Sequence, residues 1–584
     1  MMSDQASLRQ PYSRRTHTWA GVDLERNVEM QTRDGVTLVS DVYRPLGDGP
    51  RPVLIHRTPY GKDFVHDGHY LHPGWYVRHG FVVVVQDVRG RYGSGGEFVP
   101  YLNELEDGYD TVEWAAGLEG SNGRVGMYGA SYPGMVQYLA AVESPPSLGA
   151  ISPTVAAADL YSHWTYEGGA LRLFVPHWTA GLLMEIGVRR GQPELAARGR
   201  GIRAVPSQAG AWLGSAAPVD LEPLEHAEFY RDWLEHPTND SFWKERSALH
   251  RMDSVECAVL HIGAWFDTFL EGALVAYREL AARPDGPEQW LIIGPWGHLP
   301  GGECIGDLIL GPQARGTVNL DQVQVDFFHR HLSGDAPDTD ESRVRYYVLY
   351  ENRWHDIPSW PPPGTETTLY LHSDGTANTV GGDGRLDGSP PEEPEPADLY
   401  HFVPRIPVAA AGGHTCCDEN AMPAGPRSQH FLERLPEILV YSTEPFTEEV
   451  TIAGPVTARL WTATEAVSAD YVTRLCLVHK GRSLNISDGI RRMTADELAE
   501  ARDEDGVAMV EVQMQSTAAL IRPGDELRLH VTSGAFPAFD INPQTGALPA
   551  MTPTWEGVAA MHGICHEPGR ESSVTFTLHQ GDGS

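Results

Sequence analysis

Met127-Tyr-Gly-Ala-Ser-Tyr-Pro-Gly134 is the stretch on which the reading of this chain turns, with Ser131 at its centre. A short apolar run passes through Gly126 into it, and Met135-Val-Gln-Tyr-Leu-Ala-Ala-Val142 follows, long and apolar enough for a buried helix. A serine between a strand and a helix, two positions after Gly129, has the makings of a nucleophile elbow. The small residue permits a sharp turn, the hydroxyl stands above the sheet, and backbone N–H groups of the helix N-terminus face the same spot. The generic pattern has a second glycine two positions after the serine. Here Pro133 holds that place and Gly134 comes one further on. Gly-Ala-Ser turns are common, so partners elsewhere in the chain must decide.

The 584 residues are too many for one core, and about three domains are expected. A hydrophobic fraction of 41% and a charged fraction of 21% are those of an ordinary globular protein. The formal net charge of −35 argues against affinity for nucleic acid or an anionic membrane, both of which need basic patches. The first residues show no apolar signal core, and no run of eighteen apolar residues occurs, so a cytoplasmic protein is the expectation. Six cysteines, with Cys416 and Cys417 adjacent and the others isolated, give neither a disulfide framework nor metal-ligand spacing. No metal or other cofactor is expected. A small-molecule substrate is the expected partner, and a homodimer is left open.

Outward from the elbow, the chain alternates strands and helices. Asn27 to Tyr43 reads as a hairpin around Asp34-Gly35. Pro52-Val-Leu-Ile-His56 and Phe81-Val-Val-Val-Val-Gln-Asp87 read as buried strands of a parallel sheet, and Glu104 to Ala116 as a helix. The glycine-rich loop from Val88 to Gly96 is not spaced as a dinucleotide fingerprint and contains two arginines, so a structural loop is expected there. From about Asp159 to Leu249 the strand pattern gives way to helical segments rich in aromatics, which reads as a cap. The sheet resumes with Ala258-Val-Leu-His-Ile262 and Gln289-Trp-Leu-Ile-Ile293. Beyond Pro358 short alternating strands predominate, as in an antiparallel sandwich or jelly roll. The expected fold class is α/β, with residues 1–157 and 249–357 forming the sheet domain, 158–248 a helical cap and 358–584 a jelly-roll β domain.

Three strand ends then matter together: Ser131 at the elbow, Asp267 after one strand, and His298 after the next. Loops that follow strand carboxyl ends meet on one edge of a parallel sheet, where ligands bind. The order Ser, Asp, His is that of an α/β-hydrolase. A serine hydroxyl needs an imidazole to take its proton, and the imidazole needs a carboxylate to fix its tautomer. The backbone N–H of Tyr132 and the hydroxyl of Tyr60 are candidate oxyanion donors. Singly, Asp267 could be a helix cap and His298 a loop histidine. All three at strand ends in hydrolase order are much harder to obtain by accident.

Arg57-Thr-Pro-Tyr60, Asp87-Val-Arg-Gly90, Gly129 to Gly134, Gly263-Ala-Trp-Phe-Asp267 and Gly294-Pro-Trp-Gly-His298 resemble the motif set of the cocaine esterase family. Its relatives include X-prolyl dipeptidyl aminopeptidases, α-amino acid ester hydrolases and glutaryl cephalosporin acylases. Ser487-Asp-Gly-Ile-Arg-Arg492, and Gly534-Ala-Phe-Pro-Ala-Phe-Asp540 with Asn542, resemble signatures of that family's jelly-roll domain. The resemblance implies a serine hydrolase with Ser131 as nucleophile, His298 as base, Asp267 as its orienting carboxylate, and Tyr60 and Tyr132 as the oxyanion hole. Esters or activated amides are the expected substrates, with peptidase, β-lactam acylase or acyltransferase activity as alternatives and a carbohydrate-binding protein as a remote one. Trp164, Tyr166, Glu167, Phe174 and Trp265 are candidates for substrate contact. Glu167 has the alternative reading of a solvated helix-end charge, favoured because most glutamates are exposed. Arg172, a candidate partner for a substrate carboxylate, has the alternative of a surface arginine, and the aromatics that of core packing.

Overall fold

The structure is a computed structural model that describes residues 15–19, 21–47, 49–64, 72–204, 208–316, 318–333, 343–416, 422 and 424–580. Its first sheet contains β1 (Arg15–Trp19), β2 (Val22–Gln31), β3 (Thr37–Pro45), β4 (Arg51–Thr58), β5 (Val82–Asp87), β6 (Ser121–Ala130), β7 (Leu148–Thr154), β8 (Ala258–Ala264), β9 (Gln289–Gly294), β10 (Val344–Val348) and β11 (Arg353–Ile357). Their spatial order is β1-β2-β3-β5-β4-β6-β7-β8-β9-β10-β11. The run from β5 through β10 is parallel, and antiparallel pairs close both sides. The expected hairpin around Asp34-Gly35 is the β2–β3 turn, where Gly35 takes φ 81°.

Side-chain alternation along each strand explains why the sheet is covered twice. Val53, Ile55, Val82, Val84, Val125 and Met127 pack with helices Glu104–Ala116 and Tyr132–Ala141. Leu54, Val83, Val85, Tyr128 and Leu260 point the other way, onto Phe327, Phe328 and Leu332 of helix Leu320–Leu332. A period of two with both faces apolar is what a strand between helical layers requires. Val82 to Val85 are at most 1% exposed, and full burial of each such side chain is worth roughly 1.5–3 kcal/mol.

The cap departs from the expected helical run at its start. A π-helical turn, Tyr161–Thr165, leads into a hairpin of two short strands, Tyr166–Glu167 and Ala170–Leu171. Gly168 at its tip takes φ 51°, and a Cβ there would lie 1.9 Å from the Ile490 carbonyl oxygen. Close docking on the β domain therefore selects the hairpin over the helix. Helices Phe174–Arg189, Pro193–Ala204 and Glu228–Glu235 make up much of the rest of the cap.

The C-terminal β domain joins twelve strands, nearly all antiparallel, into one network. Val450–Thr464 pairs along most of its length with Val507–Ile521. The two sequence motifs quoted from this domain form its seat for the cap hairpin. Arg492 donates its backbone N–H to the Gly168 carbonyl, and its guanidinium pairs with Asp470 and Asp540. Asp540 accepts from the Leu171 N–H at 3.0 Å, and Asn542 braces Asp470.

Candidate active site

The chain makes its turn at Ser131 by adopting a backbone that serine ordinarily avoids, φ 63° and ψ −127°. Gly129 two residues earlier has φ 147°, and a Cβ there would sit 2.6 Å from that of Pro133 and 3.1 Å from His56 Nδ1. A Cβ at Gly134 would lie 2.5 Å from that of Ala156, on the segment leaving β7. The tight approach falls at position 134, so the generic second glycine is displaced by one. Position 133, in the first turn of helix Tyr132–Ala141, is one that proline suits.

Strand register brings the other two residues to the same edge. Ala130 of β6 pairs with Thr154 of β7, Thr154 with Ile262 of β8, and Ala264 of β8 with Gly294 of β9. Ser131, Asp267 and His298 each leave within a few residues of these paired ends. Asp267 is fully buried, and His298 Nδ1 lies 2.8 Å from its Oδ1. Phe269 stands edge-on to the imidazole, with ring centroids 5.4 Å apart.

Tyr60 lies in the loop leaving β4, near enough to the Ser131 side chain for that group to act weakly on its hydroxyl. Its hydroxyl oxygen accepts from Trp178 Nε1 at 3.0 Å. Burial raises the Tyr60 pKa, with Trp178 opposing, so the phenol stays protonated and able to donate near neutral pH. Tyr132 begins the helix, where the first N–H groups have no partner within the helix. Its phenol donates to Glu104 at 2.8 Å, and Glu104 is paired with the fully buried Arg57 at 2.5 Å. Arg57 in turn donates to Gln86 at 2.8 Å. The arginine of the Arg57-to-Tyr60 motif thus reaches the far end of the Tyr132 side chain. In the glycine-rich loop, Arg89 pairs with Asp34 and Asp107, and Arg91 with Glu185, which fits the structural role expected of that loop.

The cap residues divide. Trp164 is fully buried, stacks on Phe269 with centroids 4.8 Å apart and meets Phe174 and Trp178 edge-on, so these rings form the layer next to the constellation. Tyr166 does not join them. Its hydroxyl donates to the Trp233 carbonyl and its ring stacks on Tyr161, inside the cap core. Trp265 is directed away from the site, donating to the Tyr347 carbonyl at 2.7 Å and packing on Trp360 in the core shared with the β domain.

Glu167 is not a solvated charge, nor Arg172 a surface one. Both are buried, and they form an ion pair at 2.9 Å. Glu167 also meets His414 Nε2 at 2.6 Å, and His414 and Arg172 hold its pKa below the usual carboxylate value despite burial. Phe269 and the pairing of Trp178 with Tyr60 are what sequence reasoning did not single out. Phe269 stood two residues beyond Asp267, and Trp178 was visible only as one cap aromatic among several. Among the described residues no group of three or more His, Cys, Asp or Glu side chains is arranged to hold a metal ion, and no helix is long and apolar enough to cross a membrane.

A parallel sheet with a serine elbow after one strand, and a histidine–aspartate pair after two others at the same edge, is the α/β-hydrolase arrangement. The X-Pro dipeptidyl-peptidase (S15) family description matches residues 34–300, and that of the X-Pro dipeptidyl-peptidase C-terminal non-catalytic domain matches residues 338–575. A cocaine esterase from Rhodococcus sp. (strain MB1 Bresler) is 34% identical over 577 residues, covering 94% of this chain and 98% of that protein. The chain belongs to the cocaine esterase and X-Pro dipeptidyl-peptidase-like family, and it is a serine hydrolase. Among solved structures, an α-amino acid ester hydrolase superposes with a TM-score of 0.80 at 23% identity, covering 98% of this chain and 100% of that one. An aminopeptidase from a marine sediment archaeon, Thaumarchaeota archaeon, gives 0.77 at 22% identity, covering 99% of both chains. These two share the fold.

Proposed function

We propose that the protein hydrolyses carboxylic esters through an acyl-enzyme on Ser131. His298 donates its Nδ1–H to Asp267, which assigns Nε2 as the atom that takes the Ser131 proton. The serine oxygen then bonds to the ester carbonyl carbon, and the carbonyl π pair moves onto oxygen. Tyr60 O–H and Tyr132 N–H receive that oxyanion. Its collapse breaks the bond to the alkoxy oxygen, which leaves with the proton held on His298. Water repeats the sequence in the second half, with the acyl group departing as a carboxylic acid.

The observation that carries this reading is the contact set of the Tyr60 hydroxyl. Trp178 donates to its oxygen at 3.0 Å, which leaves the phenol's own O–H available to donate to an oxyanion formed at Ser131. A neutral donor preorganised in a dry site costs no reorientation when charge develops. Replacing Tyr60 with Phe is expected to lower kcat on a p-nitrophenyl ester by roughly 10²–10³-fold with little change in KM. An unchanged kcat would remove Tyr60 from the mechanism.

The pairing of Glu167 and Arg172 bears on the acyl group. A free α-amino group or a terminal carboxylate would have to displace an ion pair already formed at 2.9 Å. Trp178 and Phe269, beside Tyr60 and His298, favour a neutral, apolar or aromatic acyl group. This places plain esters ahead of aminoacyl peptides and glutaryl amides.

A further inference from the structure

Asp267 presents an unusual support problem. Its Oδ1 accepts from His298, but its buried Oδ2 has no hydrogen-bond partner among the described residues. Without a hydrogen bond on that second oxygen, the aim of the carboxylate at His298 rests in part on where the backbone of Phe266 to Thr268 is held.

That backbone is held from both sides. The Thr415 N–H donates to the Phe266 carbonyl at 3.2 Å, and Thr415 forms a parallel bridge with Asp267. Arg172 Nη1 donates to the Thr268 carbonyl at 2.6 Å. Within the sheet domain the Phe266 N–H also donates to the Trp296 carbonyl at 3.0 Å and the Asp267 N–H to the Ala264 carbonyl at 3.1 Å. To these the β domain and the cap each add one support that converges on Asp267. His414, next to Thr415, meets Glu167 through Nε2 at 2.6 Å and Asp488 through Nδ1 at 3.1 Å. Glu167 is the carboxylate that also holds Arg172.

A ring with a carboxylate on each nitrogen donates through both, which requires the imidazolium. Burial alone would lower the His414 pKa, but Glu167 and then Asp488 outweigh it and raise it to about 10. Asp488 is lowered in turn, chiefly by His414 acting against burial. Three further charged or titratable groups reach the cluster from neighbouring elements. Arg474 acts on Asp488, Glu271 on Glu167, and His163 faces both Glu167 and Arg172. The cluster belongs to no single domain: Glu167 and Arg172 lie in the cap, and His414 and Asp488 in the β domain.

We propose that His414 is a positioning residue for ester hydrolysis, an imidazolium clamped between Glu167 and Asp488 that ties cap and β domain to the Phe266–Thr268 backbone and so fixes Asp267 against His298. The C-terminal domain then contributes to the chemistry rather than only to stability. This rests on the roles proposed above for Ser131, Asp267 and His298.

The test uses the full chain and a p-nitrophenyl ester, with His414→Gln and Asp488→Asn each made alone and in an Asp267→Ala background. A clamp acting through Asp267 couples to it energetically, whereas a general loss of stability does not. Each single variant is expected to lower kcat about tenfold while KM stays within about twofold, and to add less than about twofold once Asp267 is gone. Equal losses with and without Asp267 would overturn the proposal and reduce the cluster to a structural ion pair. An unchanged kcat in both single variants would overturn it as well. If His414→Gln does not fold, Asp488→Asn carries the same comparison, because it keeps the side-chain shape. A failure of Asp267→Ala to lower activity would point elsewhere, contradicting the triad itself and the clamp with it.

Discussion

Ester turnover by the Ser131→Ala variant is expected to fall by roughly 10⁴–10⁶-fold in kcat, the range seen when a serine nucleophile is removed from a hydrolase of this kind. Few single substitutions remove so much. The alanine leaves Tyr60, Tyr132 and His298 in place, so binding and oxyanion stabilisation survive while the bond-forming oxygen is lost. The fold should tolerate the change. Ser131 occupies its positive-φ position through the packing of Gly129 against Pro133 and of Gly134 against Ala156, not through its hydroxyl. Parallel ester assays and melting curves of wild type and variant check this. A variant that keeps most of its turnover would sink Ser131 as nucleophile.

His298→Ala is expected to cost about as much as Ser131→Ala, and the double variant no more than either single one. The reason is chemical. Without a base the serine stays protonated, and without the serine the base has nothing to activate, so each residue depends on the other. Additive losses would mean that the two act in separate steps. The comparison needs only the two single variants and the double one, assayed with one activated ester. A His298→Ala variant with near-native kcat would leave the 2.8 Å contact to Asp267 without a catalytic purpose.

What could be read from the sequence was what is local or periodic. The elbow needed only Gly129, Ser131 and an apolar run on either side. The parallel sheet followed from strands such as β5, whose valines admit no polar face. Asp267 and His298 could be picked out because each follows a strand by a few residues, and parallel register turns that sequence pattern into proximity. The displaced glycine at 134 could not be explained in the same way, since its cause is Ala156 on the neighbouring strand exit.

Side-chain direction and distant pairing were out of reach. Trp265 sits two positions before Asp267, in a motif that points to the site, yet its ring turns into the core of the β domain. Tyr166 has the composition of a pocket residue and the hydroxyl bond of a core one. The frequency argument for an exposed Glu167 failed because His414, 247 residues along the chain, supplies the counter-charge that lets it be buried. The hairpin that carries Glu167 was missed for a related reason, as Gly168 answers to Ile490 of another domain. The family motifs of the β domain were recognised from sequence, but their job of seating the cap through Arg492 and Asp540 became visible only with the contacts in place.

The most direct measurement is rapid-quench mass spectrometry of the intact protein during turnover of a p-nitrophenyl ester chosen to deacylate slowly. The expected result is a burst of p-nitrophenol matched by one acyl adduct per chain, localised by peptide mapping to Ser131 and lost in Ser131→Ala. Steady turnover of the ester without an adduct at Ser131 under the same conditions, or an adduct on another residue, would contradict the acyl-enzyme route.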